Sequence, residues 1–361
     1  MSLAHRLYHG ETHFDFVGRR RWWFAASGVL MVIAVLGIGL RGLNWSVDFV
    51  GGSVFTTSEN PAGASVSEIR DGLSAVGQSG ARIQLTHSTV DNRAGVRVQT
   101  EELTPEQQSQ VIAKIAEVIG LEDSGLVAYK SVGPTFGSQV TQAAIRALVV
   151  FFIVVSLFLW WRLEWRMALA AIVEVLHDLV LTFGIYGLFG FEVTPATIIA
   201  VLTILGYSLY DTVVVFDKIH ENVAERGERH TISAIVNMSV NQVLMRSINT
   251  SLTTLLPVGS LLFVGSLLLG ATTLREFALA LFIGVAAGTY SSMFLGSPLV
   301  AIWKEREEHW QRVRRRLGRR SAEDEFAAHE LIMVPEEEAA AILPAATGAV
   351  PRPPRKRRRR R

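Results

Sequence analysis

The chain has 361 residues, of which 49% are hydrophobic, and it carries a formal net charge of +2 at pH 7. This apolar fraction argues against a water-soluble protein and predicts several membrane spans with one modest globular domain. The absence of cysteine excludes disulfide bonds, thiol nucleophiles and thiolate metal sites. We also find no phosphate-binding loop, no metal-ligand cluster and no nucleophile beside a base, and therefore expect neither an enzyme nor a cofactor.

The first predicted span covers residues 22–40 and follows three consecutive arginines, Arg19 to Arg21. A basic segment before an apolar run is also typical of a secretion signal. This run, however, is long, and it leads into GIGLRGLNW in place of an A-x-A-like cleavage site. We therefore predict an uncleaved anchor behind a cytoplasmic N-terminal segment at 1–21.

Residues 41–140 are predicted to form the one sizeable domain outside the membrane. The pattern runs through strand VDFVGGSVFTT, helix SVSEIRDGLSAVG, strands ARIQLTH and GVRVQT, helix TPEQQSQVIAKIAEVIG and strand SGLVAYKSV. Both helices begin with a capping box, Ser65 with Glu68 and Thr104 with Gln107. This βαββαβ order predicts an extracytoplasmic α+β domain of the ferredoxin-like type.

Five more apolar windows follow within residues 141–303, each near the roughly 20 residues that cross a bilayer. They lie near 143–161, 167–190, 196–216, 243–269 and 277–303. Lysine and arginine concentrate on one side of these spans, which places that side and both termini in the cytoplasm. The predicted fold is therefore an all-α membrane bundle of six transmembrane helices with one extracytoplasmic α+β domain.

Polar side chains recur at helical spacing inside three of the spans. A charged group near the bilayer centre costs about 2.5 kcal/mol or more on insertion scales, so such residues are functional candidates. They are Glu174, His177, Asp178 and Thr182 in the third span, Thr203, Tyr207 and Asp211, with Ser208 beside them, in the fourth, and Arg246, Asn249, Thr250 and Thr253 in the fifth. Because each set shares one helical face, we predict that the three faces meet in the bundle.

Asp211 and Arg246 are the central pair of this prediction. A helix rises 1.5 Å per residue, which places both groups roughly 10 Å inside the cytoplasmic ends of their spans. Asp178 and His177 would lie deeper, so the titratable groups form the stack that a proton or sodium path requires. Burial disfavours the charged form of the Asp211 carboxyl group, whereas a nearby arginine favours it, so the two effects oppose each other. Protonation of Asp211 would release Arg246 and re-pair the helices. The alternatives are a fixed ion pair and, for Asp178 and His177, structural hydrogen bonds.

Several motifs occur in a fixed order, namely VDFVGGS, VGPTFG, LHD, GYSLYDTVVVFDKIHEN, NQVLMRSINTSLTTLLPV and GTYSSMFLGSPL. In this order they resemble the SecF family of the bacterial Sec export machinery, within the RND superfamily, over about residues 14–303. The resemblance implies an inner-membrane subunit that pairs with SecD and associates with SecYEG. It also implies use of the proton motive force, or sodium in some relatives, to draw preproteins outward. The ion-coupling residues of the family map onto Asp211 and Arg246.

Two positions depart from the common pattern of the family. Tyr210 stands where many relatives have asparagine, and His220 where many have arginine. Because Tyr210 precedes Asp211, it bears on which ion is coupled.

Small residues mark both junctions between the outer domain and the membrane, namely Gly51 and Gly52 at one and Gly133, Pro134 and Gly137 at the other. They predict a hinge through which membrane events move the domain. An ordinary flexible connection is the alternative.

The tail at 304–361 is predicted to be cytoplasmic, and disordered after about residue 318, where it is acidic and rich in alanine before it ends in PRPPRKRRRRR. A polybasic end beside a membrane is typical of binding to anionic lipids. Contact with SecA or the ribosome is an alternative.

Two functions besides ion-coupled export stay open. One is a non-transporting membrane scaffold whose polar residues only fix helix packing. The other is an RND-type exporter of small molecules or lipids, which is less favoured because such pumps usually carry two large loop domains.

Overall fold

The computed structural model describes residues 14–88, 93–265 and 272–318. The tail predicted to be disordered, with its polybasic end, lies outside these residues. Within them, six helices are long and apolar enough to cross a membrane, which confirms the predicted number. They run over Arg20–Arg41, Pro134–Arg162, Trp165–Phe189, Pro195–Arg226, Ile232–Gly265 and Leu274–Glu305. We call them the first to the sixth span.

Between the first two spans the chain forms a loop domain of short strands and helices. Its elements are β1 (Asn44–Trp45), a helix at Val47–Val50, β2 (Gly52–Thr57), a helix at Val66–Ala75, β3 (Arg82–Ser88), β4 (Arg93–Thr100), a helix at Pro105–Ile119, a 3₁₀ turn at Ser124–Leu126 and β5 (Ala128–Val132). Both predicted capping boxes are present, Ser65 with Glu68 and Thr104 with Gln107. The local sequence signals therefore fix where these two helices begin.

Four of the strands form an antiparallel sheet in the order β3-β4-β2-β5. Val98 in β4 pairs with Ile83 in β3 on one side and with Phe55 in β2 on the other. Because alternate residues of a strand point to the same face, one face of the sheet is apolar. The two longer helices cover that face with buried residues such as Ile69 and Ile115.

Two junctions connect the loop domain to the membrane bundle. Gly51 and Gly52 have φ angles of +77° and +117°, which side chains rarely adopt. A Cβ atom on Gly137 would lie 2.8 Å from the Phe49 carbonyl oxygen, so the second span passes directly against the first junction. The segments predicted as a hinge therefore lie in close contact with each other.

A second small sheet also ties the two parts of the chain together. β6 (Glu192–Val193), between the third and fourth spans, pairs in parallel with β1. The side chain of Arg97 in β4 forms an ion pair of 2.6 Å with Glu192. The connection between the third and fourth spans is thus part of the domain junction.

The third, fourth and sixth spans form the centre of the bundle. The first span packs along the third, whereas the second lies at the periphery with most of its side chains exposed. The sixth span consists of a helix at Thr272–Ser291, a widened π-helical turn at Ser292–Gly296 and a helix at Ser297–Glu305. The fifth span is a helix at Ile232–Ser260 that ends in a similar turn at Leu261–Gly265. A further helix covers 308–318.

The second span begins earlier than the apolar window predicts, at Pro134 instead of residue 143. Proline is favoured at the first helical position, where its missing N–H group needs no partner. The helix therefore starts directly behind β5 and continues into the membrane without a break.

Candidate ion-coupling site

Asp211 lies in the middle of the fourth span, with its side chain buried between helices. The span begins with a capping box at Thr194 and Thr197 and then runs unbroken for 32 residues. Asp211 is 2% exposed. Its Oδ1 atom accepts a hydrogen bond of 3.4 Å from the Thr250 hydroxyl, and its Oδ2 atom has no partner among the described residues. The structure thus places a carboxyl group with a free oxygen inside the bundle.

Arg246 lies on the fifth span and contacts the residue next to Asp211. Its Nη2 atom donates a hydrogen bond of 2.8 Å to the Tyr210 hydroxyl, and its guanidinium carbon lies 5.8 Å from the centre of the Tyr210 ring. No ion pair between Arg246 and Asp211 is present in the described part of the chain. Successive residues on a helix point about 100° apart, so Tyr210 faces outward and Asp211 inward. The expected direct pair is therefore replaced by an Arg246–Tyr210 pair beside the acid.

The predicted supporting residues divide into two groups. Tyr207 donates a hydrogen bond of 2.6 Å to the Thr250 carbonyl oxygen and so joins the fourth and fifth spans near Asp211. Asn249 and Thr253, in contrast, are exposed on the outer face of the fifth span. The Thr253 hydroxyl donates to a carbonyl oxygen of its own helix. Tyr207 and Thr250 are therefore part of the site, and Asn249 and Thr253 are not.

Asp178 forms a second polar cluster on the other side of the fourth span. Its Oδ2 atom accepts hydrogen bonds from the hydroxyls of Ser208, at 2.7 Å, and Ser291, at 2.9 Å. Its Oδ1 atom lies 3.2 Å from Nδ1 of His177, whose Nε2 atom is buried without a partner among the described residues. Ser208 thus faces Asp178 and not Asp211, which differs from the single meeting of polar faces that the sequence predicts.

Glu174 belongs to the same cluster, although only Asp178 and His177 of the third span are predicted as ion-coupling residues. It is completely buried, and its Oε1 atom accepts a hydrogen bond of 2.6 Å from the Thr212 hydroxyl. Its spacing of four residues from Asp178 is the signal that identifies it, because this spacing places both carboxyl groups on one helical face. In the described residues, no group of three or more acidic or histidine side chains is placed to hold a metal ion.

Comparison with known proteins places this chain in a family. The family model "Protein export membrane protein SecD/SecF, C-terminal" matches residues 111–306, and the model "SecD/SecF GG Motif" matches residues 37–58. The protein translocase subunit SecF of Streptomyces coelicolor is 40% identical over 321 residues, which cover 88% of this chain and 83% of that protein. The chain belongs to the SecD/SecF family. The matched regions include the third to sixth spans and the glycine pair Gly51 and Gly52.

Another SecF protein and a SecDF structure are also similar to this chain. The protein translocase subunit SecF of Escherichia coli O157:H7 is 33% identical over 309 residues, which cover 84% of this chain and 92% of that protein. The crystal structure of SecDF from Thermus thermophilus, described as a translocon-associated membrane protein, aligns with a TM-score of 0.71 at 35% identity. The alignment covers 85% of this chain and 40% of the SecDF chain. This chain thus spans less than half the length of the SecDF protein.

Proposed function

We propose that this chain is the SecF subunit of a SecD–SecF complex that couples the proton or sodium motive force to late steps of preprotein translocation through SecYEG. One observation supports this role above the others. In a member of the SecD/SecF family, the buried carboxyl group of Asp211 has one oxygen without a partner, while Arg246 is bonded to the adjacent Tyr210. Arg246 thus has two alternative acceptors within the same site.

The free energy of the hydrogen bond that Arg246 would exchange is similar in size to the energy that the membrane potential supplies. A hydrogen bond to a charged group contributes about 1.5–3 kcal/mol, and moving one elementary charge across the membrane releases about 2.3 kcal/mol per 100 mV. When Asp211 is ionised, its charge attracts Arg246; when Asp211 is neutral, Arg246 stays with Tyr210. The gradient can therefore move Arg246 between two partners and with it the relative position of the fourth and fifth spans.

A partner subunit of similar architecture is part of this proposal. Arg246, Asn249 and Thr253 are exposed on the outer face of the fifth span, and in a lipid environment such groups are costly. The spans of SecD would cover them. The SecDF relative, of which this chain spans 40%, has sufficient length for both partners in one chain.

We further propose that the loop domain is a ferredoxin-like domain on the outer side of a bacterial inner membrane, with both termini in the cytoplasm. The strand order β3-β4-β2-β5, antiparallel throughout with one helix after β2 and one after β4, supports this assignment. The positive φ angles of Gly51 and Gly52, beside the start of the second span, support a junction that transmits movement from the bundle to this domain.

Export by inverted membrane vesicles under an imposed pH or sodium gradient tests the proposed function. We expect Asp211→Asn to abolish gradient-stimulated export while the protein stays inserted and bound to its partner. Asp217→Asn is the matched control, because Asp217 lies on the same span but forms an ion pair with Arg162 at 2.7 Å that is about half exposed. Gradient-stimulated export that persists in Asp211→Asn would indicate the scaffold alternative.

A further inference from the structure

Glu174 and Asp178 lie one helical turn apart on the third span, and both are completely buried. The Ser291 hydroxyl oxygen of the sixth span lies between their carboxyl groups, 2.9 Å from Asp178 Oδ2 and 3.4 Å from Glu174 Oε1. Thr212 and Ser208 of the fourth span contact the same pair. The two acids therefore share a single enclosed environment made by three spans.

The charges around this pair do not neutralise two carboxylates. Among the described residues, the ion pairs of Glu174 and Asp178 include only the contact between His177 and Asp178. In the described part of the chain, the charged groups close to Glu174 are Asp178 on its own span and Asp211 on the fourth, while the sixth span contributes the Ser291 hydroxyl. Two buried carboxylates in this position lose their hydration and repel each other. One of the two groups therefore holds a proton.

The hydrogen bonds indicate which group holds it. Asp178 accepts two hydroxyl hydrogen bonds at Oδ2 and faces His177 at Oδ1, an arrangement that supports a carboxylate. Glu174 accepts its one short bond at Oε1, and its Oε2 atom is buried without a partner among the described residues. A Cβ atom on Gly296 would lie 2.2 Å from Glu174 Oε2, so the carboxyl tip occupies the space that this glycine leaves. Burying a charge without a partner at this position costs more free energy than burying the neutral acid.

The shortest contacts of the two acids are hydrogen bonds from hydroxyl groups. The oxygens of Thr212 and Glu174 are 2.6 Å apart, and those of Ser208 and Asp178 are 2.7 Å apart. These are hydrogen-bond distances, at which a hydrogen atom joins the two oxygens. In both contacts the hydroxyl group supplies the hydrogen, and the carboxyl oxygen accepts it.

We propose that Glu174 and Asp178 form a proton-binding site of their own, in which Glu174 carries the proton and Asp178 is the carboxylate. Thr212, which donates a hydrogen bond to Glu174, directly follows Asp211 in the sequence. The fourth span therefore connects this site to the site at Asp211 and Arg246. The pair thus supplies a second position for a coupled proton. Its part in coupling rests on the proposed function, whereas its binding of a proton does not.

Infrared spectroscopy of the full chain with its partner in lipid vesicles tests this site. A protonated carboxyl group has a C=O stretching band that a carboxylate lacks, and exposed acids are ionised at pH 7. We expect wild type to keep such a band at pH 7, and Glu174→Gln to lose the intensity of one carboxyl group. In Asp178→Asn the repulsion is removed, so we expect the Glu174 band to disappear at a lower pH than in wild type.

Two controls keep the interpretation independent of folding and of transport. Labelling glutamate side chains with ¹³C in wild type shifts the band of Glu174 without any substitution, and Glu276→Gln identifies the contribution of a half-buried glutamate in the sixth span. Asp211→Asn should abolish gradient-stimulated export and leave the Glu174 band in place. A band that ignores both the label and Glu174→Gln would overturn the proposal, as would a band that sodium, but not potassium, removes.

Discussion

Tyr210 and Asp211 are adjacent in the sequence, yet their side chains have different surroundings. Tyr210 is 49% exposed and accepts a hydrogen bond from Arg246, whereas Asp211 is 2% exposed and faces Thr250. The tyrosine therefore holds the arginine beside the acid without neutralising it. This arrangement gives Tyr210 a part in the proposed exchange.

Tyr210→Phe removes the hydroxyl that accepts a hydrogen bond from Arg246, which leaves Asp211 as the partner in the proposed exchange. The ionised carboxyl group then gains a partner, so we expect export to require a higher proton concentration on the outer side. Because Tyr210 is half exposed, we expect the lower end of the range for a charged hydrogen bond, about 1.5 kcal/mol, which corresponds to roughly a tenfold change in proton concentration. Export by inverted vesicles, measured against the pH of the lumen, gives the shift, because the lumen corresponds to the outer side of the membrane. Tyr129→Phe in the loop domain is the control, and an unchanged pH dependence in Tyr210→Phe would contradict the exchange.

The acids of the site were predictable because a charge in an apolar segment stands out in the sequence. Asp211 and Asp178 are both buried, in agreement with that argument. Depth along a helix also follows from the sequence, since the rise per residue is fixed. The direction in which Arg246 points does not, because it depends on how far each helix is rotated against its neighbours. For the same reason the sequence could not divide Tyr207 and Ser208 between two clusters.

At the scale of the element, Gly52 is a position in β2 that has no room for a side chain. Its φ angle is +117°, and a Cβ atom there would lie 2.3 Å from the Thr100 carbonyl oxygen of the neighbouring strand. We expect Gly52→Ala to destabilise the loop domain by more than the roughly 1–3 kcal/mol that a strained backbone conformation costs. Resistance of the domain to protease during heating of the full chain measures the loss.

Gly63→Ala is the matched control for this substitution. Gly63 also has a positive φ angle, +62°, but no atom lies within 4 Å of the position of its Cβ. It therefore reports backbone strain without a steric contact, and the additional loss in Gly52→Ala reports the contact with Thr100 together with the strain of its larger φ angle. Equal losses in the two variants would show that the contact contributes nothing.

The elements themselves follow from local signals to different degrees. Six apolar windows and two capping boxes were sufficient to predict the spans and the two longer helices of the loop domain, because hydrophobic length and capping act within a few residues. The start of the predicted strand VDFVGGSVFTT was wrong, because Val47–Val50 form a short helix that ends at Gly51. β1 and β6 were not predicted, since each has two residues and forms only by pairing with the other, which is distant in the sequence. The widened turn at Ser292–Gly296 was missed as well, because its glycine accommodates Glu174 from another span.

At the scale of the whole molecule, the junction between the loop domain and the bundle is held by more than the glycine segments. β1 pairs with β6, Arg97 forms an ion pair with Glu192, and Lys130 forms one of 2.6 Å with Asp48. The sheet is thus attached to the connection between the third and fourth spans, the same two spans that carry Asp178 and Asp211. A rearrangement of these spans would reach the domain through Glu192 as well as through Gly51 and Gly52.

Glu192 makes this attachment sensitive to pH. Burial raises the pKa of the Glu192 carboxyl group above its ordinary value, although the Arg97 guanidinium opposes the shift. The docked domain therefore binds a proton more readily than a detached one, in which Glu192 is hydrated. The contribution of Glu192 to docking is complete below the ordinary pKa and is lost as pH rises through the raised pKa. We expect the domain to be held more firmly at acidic pH than at neutral pH.

Spin labels on introduced cysteines can measure this effect, because the chain has no cysteine of its own. One label at Gln110 in the loop domain and one at Leu188 at the end of the third span give a distance distribution between the two parts. We expect this distribution to broaden as pH rises from the ordinary carboxyl range towards neutrality. In Glu192→Gln, where the side chain stays neutral, it should be independent of pH. Broadening on acidification would show that the Arg97 ion pair outweighs burial, and the ionised form of Glu192 would then be the one that holds the domain.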